Sequence, residues 1–246
     1  MIILGAYLLV VGMLGLGRKQ SHTPALSHTA AGLLFVCAME LLIFGFVFGL
    51  ACFASRASRD DLLLRWRGKF KPVFFGIGYS LALRFAVGLF VFFVAIALVV
   101  SHAMTLDSLQ KILATHRPGV ETLVDVPALR NDPAYFWLTL TVVSFIVGGL
   151  REELWRAGFL VGMKALWPQR FGSRAGQVGA VVIAAVFFGF GHLAQGAIAV
   201  CIAGLLGVGL GLIMVFHRSI WPAVIAHGLF DATSMAMIPW AMQYLK

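Results

Sequence analysis

Three short clusters of polar residues interrupt apolar stretches of the chain, and each contains side chains that can take part in hydrolysis. The first is residues 151–156, with the sequence REELWR, the second ends in His192, and the third runs from His227 to Asp231. Charged side chains at the depth of a bilayer are costly, so they are usually paired and usually functional. Together the clusters supply carboxylates that can act as a general base, a guanidinium that can orient them, and imidazoles.

In the first cluster, helical spacing limits which carboxylate can meet the arginine. Glu152 lies four residues before Arg156 and Glu153 three residues before it. Either carboxylate can therefore pair with Arg156 on one face of a helix, and the other needs a different partner. A buried carboxylate held beside an arginine can act as a base toward water. The alternative is a charged helix end at the membrane surface.

The two histidine clusters also allow a catalytic or a structural interpretation. A lone histidine such as His192 is more often a packing or interface residue, whereas His227 and Asp231 share one helix face because they are four residues apart. His192, His227, Asp231 and Glu152 could form a mixed nitrogen and oxygen zinc site with an open position. The same groups could bind water alone, and we favour a site without an obligatory metal.

The composition predicts a membrane protein. Of the 246 residues, 61% are hydrophobic and 12% are charged, whereas a soluble protein carries about 25% charged residues. The lipid bilayer is therefore an expected partner. The net charge of +9 does not imply nucleic-acid binding, since basic residues of membrane proteins collect in cytoplasmic loops.

The apolar stretches predict an all-α, polytopic bundle of about seven transmembrane helices, because about 20 apolar residues span a bilayer. We expect residues 1–133 to form N-terminal helices and loops, and residues 134–243 to form the core of one structural unit. The fourth helix is predicted to break near Gly148 and Gly149. The predicted spans are residues 2–17, 31–54, 73–100, 134–166, 176–196, 198–216 and 219–243.

Other residues in the apolar stretches carry predictions about packing. Glu40 and Arg84 are expected to pair with each other or to line the same cavity as the clusters. The small-residue pair Gly207 and Gly211 predicts close helix packing within the chain. The basic segment 55–71 is expected in the cytoplasm.

The ordered clusters resemble the CPBP family of intramembrane proteases, which includes type II CAAX prenyl endopeptidases and Abi bacteriocin-processing proteins. The family pattern is EExxxR, then FxxxH, then HxxxN or HxxxD. Phe188 with His192, and His227 with Asp231, match the last two motifs. The resemblance covers roughly residues 134–243. No GxSG, HExxH or GxGD motif of another intramembrane protease class is present.

The first motif departs from the family pattern by one residue. Aligned on Arg156, the family's glutamate pair falls on Arg151 and Glu152. Aligned on Glu152 and Glu153, the arginine comes one residue early, and Ala157 takes its place. We favour Glu152 as the counterpart of the catalytic glutamate, with Glu153 second.

The resemblance implies a membrane-embedded endopeptidase that cleaves a peptide or a prenylated protein. Glu152 or Glu153 would activate a water molecule, and His192 would position it or polarise the substrate carbonyl. His227 and Asp231 would stabilise the oxyanion, and Arg156 would hold a carboxylate. The expected location is a bacterial inner membrane, with the site toward the cytoplasm.

Two other classes of function remain open from the sequence. One is a non-catalytic membrane scaffold, immunity protein or chaperone, in which the three clusters would be incidental. The other is a small proton-coupled transporter, which is disfavoured because the sequence has no visible repeat symmetry.

Overall fold

Helices form every regular element among residues 27–115, 118–119 and 122–244, which are the residues that the computed structural model describes. The all-α prediction is confirmed, while the predicted helix at 2–17 lies outside these residues. In chain order the elements are α1 Ala30–Ser55, α2 Lys71–Val100, α3 Leu106–Thr115, α4 Val126–Asn131, α5 Pro133–Leu138, a π-helix Thr139–Arg151, α6 Glu152–Leu166, α7 Pro168–Phe171, α8 Arg174–Phe190, a 3-10 turn Leu193–Gln195, α9 Ala197–His217 and α10 Trp221–Tyr244.

Four helical stretches in the described part of the chain are long and apolar enough to cross a membrane. They are α1, α2, the continuous stretch Pro133–Leu166 and α9. Helix α8 is also apolar but has only 17 residues. The protein is therefore an integral membrane protein, and the predicted count of about seven spans is not confirmed.

The stretch Pro133–Leu166 stays helical through Gly148 and Gly149, where a break was predicted. Its middle part winds as a π-helix over Thr139–Arg151, and the α-helix resumes at Glu152. The Ser144 hydroxyl donates a hydrogen bond of 2.9 Å to the Thr139 carbonyl, five residues earlier. π-Helical turns are rare and are often found at functional sites. The π-helical winding ends at Arg151, the first residue of the first polar cluster.

Gly148 and Gly149 allow close contact with α10 and do not interrupt the helix. A Cβ atom on Gly149 would lie 2.9 Å from the Val224 carbonyl oxygen. A Cβ atom on Gly148 would lie 2.5 Å from the Oδ2 atom of Asp231. Because glycine has no Cβ atom, the π-helix can approach the helix that carries Asp231.

Helix α10 is also fixed by α2, through an arginine inside the bundle. The Arg84 guanidinium lies 4.3 Å from the centre of the Phe230 ring and donates a 2.5 Å hydrogen bond to the Phe230 carbonyl. It also contacts the Ser234 hydroxyl at 3.3 Å. Arg84 therefore holds α10, and Glu40 pairs with Arg151. Of the two arrangements expected from the sequence, the Glu40–Arg84 pair is wrong.

Small residues bring α8 and α9 into close contact. A Cβ atom on Gly207 would lie 3.2 Å from the Cα atom of Ala185, and one on Gly211 would lie 2.6 Å from Val181. Both glycines of the GxxxG pair thus face a neighbouring helix of the same chain. Such close approach is a usual role of small residues in membrane helices.

The closest α8–α9 contact to a backbone atom gives a test of the packing. A Cβ atom on Gly189 would lie 2.7 Å from the Val200 carbonyl oxygen, and backbone atoms cannot rotate out of the way. We expect Gly189→Ala to lower the free energy of unfolding in detergent by about 1–3 kcal/mol, the usual cost of overpacking. The matched control is Gly45→Ala, since nothing lies within 4 Å of a Cβ atom there. Equal stability of the two variants would contradict the α8–α9 packing.

Candidate active site

The three polar clusters meet at one cavity inside the helix bundle. The cavity has a volume of about 410 Å³, and its wall includes residues from α1, the π-helix, α6, α8, α9 and α10. Most of the residues that line it are apolar. Its polar and aromatic lining includes Glu40, Arg151, Glu152, Phe188, His192, His227 and Asp231.

Glu153 lies behind the cavity wall and is fully buried. One of its carboxylate oxygens pairs with the Arg156 guanidinium, and the other accepts a 2.9 Å hydrogen bond from Nδ1 of His227. Arg156 is itself fully buried, and its guanidinium lies 4.7 Å from the centre of the Phe188 ring. Glu153 therefore links α6 to α10 and is shielded from the cavity.

Glu152 has the opposite environment, since its side chain lines the cavity. Its Oε1 atom lies 3.0 Å from Nη2 of Arg151, and its Oε2 atom lies 3.7 Å from Nε2 of His227. Arg156 pairs with the residue three positions earlier, Glu153. Four-residue spacing also allowed Arg156 to pair with Glu152, but the structure has the pair with Glu153.

His227 is held by one ring nitrogen and presents the other to the site. Because Nδ1 donates to Glu153, Nε2 faces Asp231, whose Oδ2 atom lies 3.5 Å away. The carboxylate of Glu152 is on the same side of the ring, at 3.7 Å. A carboxylate on one ring nitrogen is a common way to fix the tautomer and orientation of a histidine.

His192 follows the end of α8 and also lines the cavity. Its Nδ1 atom donates a 2.8 Å hydrogen bond to the Phe188 carbonyl, four residues earlier. The Phe188 ring packs against both histidines, with ring centres 4.8 Å from His192 and 6.1 Å from His227. This geometry leaves Nε2 of His192 as the nitrogen available to a molecule in the cavity.

Comparison with known protein families gives one match in this region. Residues 133–233 match the model of the family described as type II CAAX prenyl endopeptidase Rce1-like. The resemblance to the CPBP intramembrane proteases is confirmed. The matched family is one of membrane endopeptidases, which supports a CAAX-type intramembrane protease at the level of the family. Comparisons with curated proteins and with solved structures give no significant match.

The Rce1-like segment starts at α5 and ends in α10, so it contains every site residue predicted from the sequence. It does not contain Glu40, which reaches the cavity from α1. Arg151 lies between Glu40 and Glu152, with distances of 2.8 Å to Glu40 and 3.0 Å to Glu152. The sequence predicted a role for Glu40 in a pair or in the cavity wall, but none for Arg151. The sequence signal for their contact is that Glu40 and Arg151 carry opposite charges within apolar stretches.

The described side chains of the Rce1-like segment do not fit a zinc site. Among the residues that the structure describes, no group of three His, Cys, Asp or Glu side chains is arranged to hold a metal ion. Glu152, one of the proposed ligands, is paired with a guanidinium. The metal site suggested by His192, His227, Asp231 and Glu152 is therefore not supported by the geometry.

A loop before the Rce1-like segment lines part of the cavity with Leu123 and Val124. It is held by Asp125, whose carboxylate accepts a 2.6 Å hydrogen bond from the Ala128 N–H. Burial by itself raises the pKa of the Asp125 carboxyl. Hydrogen bonds from His28 and Ala128 together have the larger effect, so this pKa lies below its usual value. The Asp125 N–H donates to the Tyr135 hydroxyl at 3.1 Å, which ties the loop to α5.

The buried ion pair predicts a large loss of stability when it is broken. Arg156→Leu leaves the buried Glu153 carboxylate without its cation, so we expect a loss of about 3–5 kcal/mol in the free energy of unfolding. The control is Arg65→Leu, which breaks an exposed pair with Asp60 and should cost less than about 1 kcal/mol. Denaturant titration in detergent measures both. Similar losses in the two variants would mean that the Glu153–Arg156 pair is not a buried one.

Proposed function

We propose that the protein is an intramembrane endopeptidase that hydrolyses a peptide bond of a prenylated or membrane-bound peptide, with Glu152 as the base that activates water. The observation that carries this proposal is the different environment of the two adjacent glutamates. Glu152 faces the cavity together with His192, His227 and Asp231, whereas Glu153 is fully buried. A base must reach the water that it deprotonates, and Glu152 meets this condition.

The proposed reaction begins with a water molecule between Glu152 and the scissile carbonyl carbon. Glu152 takes a proton as the water oxygen bonds to that carbon, and the electron pair of the C=O bond moves to oxygen. The intermediate then collapses, the C–N bond breaks, and the amine leaves with a proton returned by Glu152. Two products result, one with a new carboxylate and one with a new amine.

The histidines are proposed to act on the substrate carbonyl. In its protonated form His227 can donate from Nε2 to the developing oxyanion, because Nδ1 is already held by Glu153. Hydrogen-bond donors fixed in advance at an oxyanion contribute strongly to catalysis. His192 would position the water or polarise the carbonyl through Nε2. Asp231 would act through His227, from which it is separated by 3.5 Å.

The apolar remainder of the cavity wall suits a lipidated substrate. Residues such as Val147, Ile202 and Leu206 line it. The basic loop between α1 and α2 favours a cytoplasmic position for that end of the bundle. We propose a bacterial inner membrane, with the site open toward the cytoplasm.

A cleavage assay with paired glutamate variants tests the mechanism. The full chain is purified in detergent and given a fluorogenic peptide that carries a farnesylated cysteine three residues before its C-terminus. We expect Glu152→Gln to lower kcat by about 10²–10⁴-fold, the usual contribution of a general base, with little change in stability. Glu153→Gln should lower the unfolding midpoint in addition to kcat, because Glu153 forms the buried ion pair with Arg156.

Three controls make the assay specific. Asp107→Asn changes an exposed carboxylate outside the cavity and should leave kcat unchanged. The same peptide without the farnesyl group measures the contribution of the lipid. A chelator should not change the rate, because the proposed mechanism uses no metal. Full activity of Glu152→Gln, or no cleavage of any peptide by the unaltered protein, would contradict the proposal.

A further inference from the structure

Arg151 joins a residue of α1 to the carboxylate that faces the cavity. Its Nη1 atom lies 2.8 Å from Oε1 of Glu40, and its Nη2 atom lies 3.0 Å from Oε1 of Glu152. All three side chains line the cavity. The guanidinium is largely buried, since 9% of the side chain is exposed.

The planar shape of the guanidinium makes this contact directional. Its nitrogens project in a fixed fork, so a partner on Nη1 fixes the direction in which Nη2 points. Glu40 thus aims the guanidinium, and the guanidinium holds Oε1 of Glu152. Oε2 of Glu152 is left on the side of His227, where a water molecule would meet it.

The position of Arg151 in the sequence suggests a role beyond joining two helices. It is the last residue of the π-helix, and Glu152 is the first residue of α6. The winding therefore changes from π-helical to α-helical between these two residues. A side chain anchored on α1 supplies a second constraint that does not depend on that junction.

We propose that Glu40 and Arg151 are positioning residues for Glu152, and that the catalytic arrangement therefore includes α1, outside the Rce1-like segment. The inference rests on the proposed function, because it assigns these residues to the base of that reaction. Glu40 acts through Arg151 and does not touch the substrate. The two residues should therefore affect kcat far more than KM, and their effects should not add.

The kinetic test is a double-substitution cycle on the full chain in detergent, with the farnesylated peptide as substrate. Glu40→Gln and Arg151→Gln should each lower kcat by roughly tenfold or more, as expected when a reacting group is misplaced. KM should change by less than about threefold, because the contact orients the reacting carboxylate and does not bind the substrate. The double variant should match Arg151→Gln alone, because Glu40 has no role once the guanidinium is removed. Arg151→Lys should rescue little, since an ammonium lacks the fork.

A second measurement does not depend on proteolysis. The unaltered protein and the same variants are treated with a membrane-permeant carbodiimide, and mass spectrometry measures the adduct on Glu152. In Arg151→Gln the Glu152 carboxylate loses its guanidinium partner, and in Glu40→Gln the guanidinium is no longer aimed at it. A carboxylate held less firmly by a guanidinium reacts faster, so labelling of Glu152 should rise several-fold in both single variants. The control is Asp60→Asn, which breaks an exposed ion pair with Arg65 outside the cavity and should change neither labelling nor kcat.

The outcomes separate this inference from the proposed function. Unchanged labelling in both variants would overturn the positioning role even if the protein is an active protease. Increased labelling with an unchanged kcat would overturn it too, since the contact would then only join α1 to the π-helix. Increased labelling in a protein that cleaves no peptide would leave the Glu40–Arg151–Glu152 contact in place and remove the protease mechanism.

Discussion

The site depends on the pairing of one buried carboxylate. Glu153 is fully enclosed among apolar helices, and an ion in such a place loses several kcal/mol of solvation that its partners must restore. Arg156 and His227 are those partners. Because one lies on α6 and the other on α10, the pairing brings these two helices together. It also fixes the imidazole of His227, whose second nitrogen then faces the cavity. The direction of the His227 ring is thus a consequence of the need to neutralise the buried Glu153 carboxylate.

That pairing requires a close approach of helices, and glycine makes it possible. Gly149 meets the backbone of α10 at Val224, and Gly148 leaves room for the Asp231 carboxylate. The π-helix ends two residues later, at Arg151, and α6 begins at Glu152. In an ordinary α-helix each residue is rotated about 100° from the one before it, which explains how adjacent glutamates enter different environments. Glu153 is enclosed between helices, and Glu152 faces the cavity.

The sequence predicted most of what apolar patterning controls. The predicted spans at 31–54 and 73–100 differ from α1 and α2 by two residues or fewer at each end, because lipid-facing helices end where polar loops begin. The clusters were also predicted to share a site, since polar groups in lipid gather together. The winding of residues 139–151 could not be predicted, because π-helical hydrogen bonding has no distinct pattern of residue types. Spacing alone allowed Arg156 to pair with Glu152 or with Glu153, and it could not show that His227 of α10 lies beside Glu153.

The arrangement around Arg151 also explains how this chain can depart from the family pattern and still present a carboxylate to the cavity. In the alignment based on Arg156, Arg151 takes the place of a family glutamate, which exchanges a negative charge for a positive one. An unbalanced cation at this depth would be costly. Glu40 restores the balance from another helix, and Glu152 shares the same guanidinium. The polar wall of the cavity therefore holds alternating charges, Glu40, Arg151 and Glu152, followed by His227. Each charge lies beside one of opposite sign or beside an imidazole, which is the condition for keeping several ionisable groups inside a membrane protein.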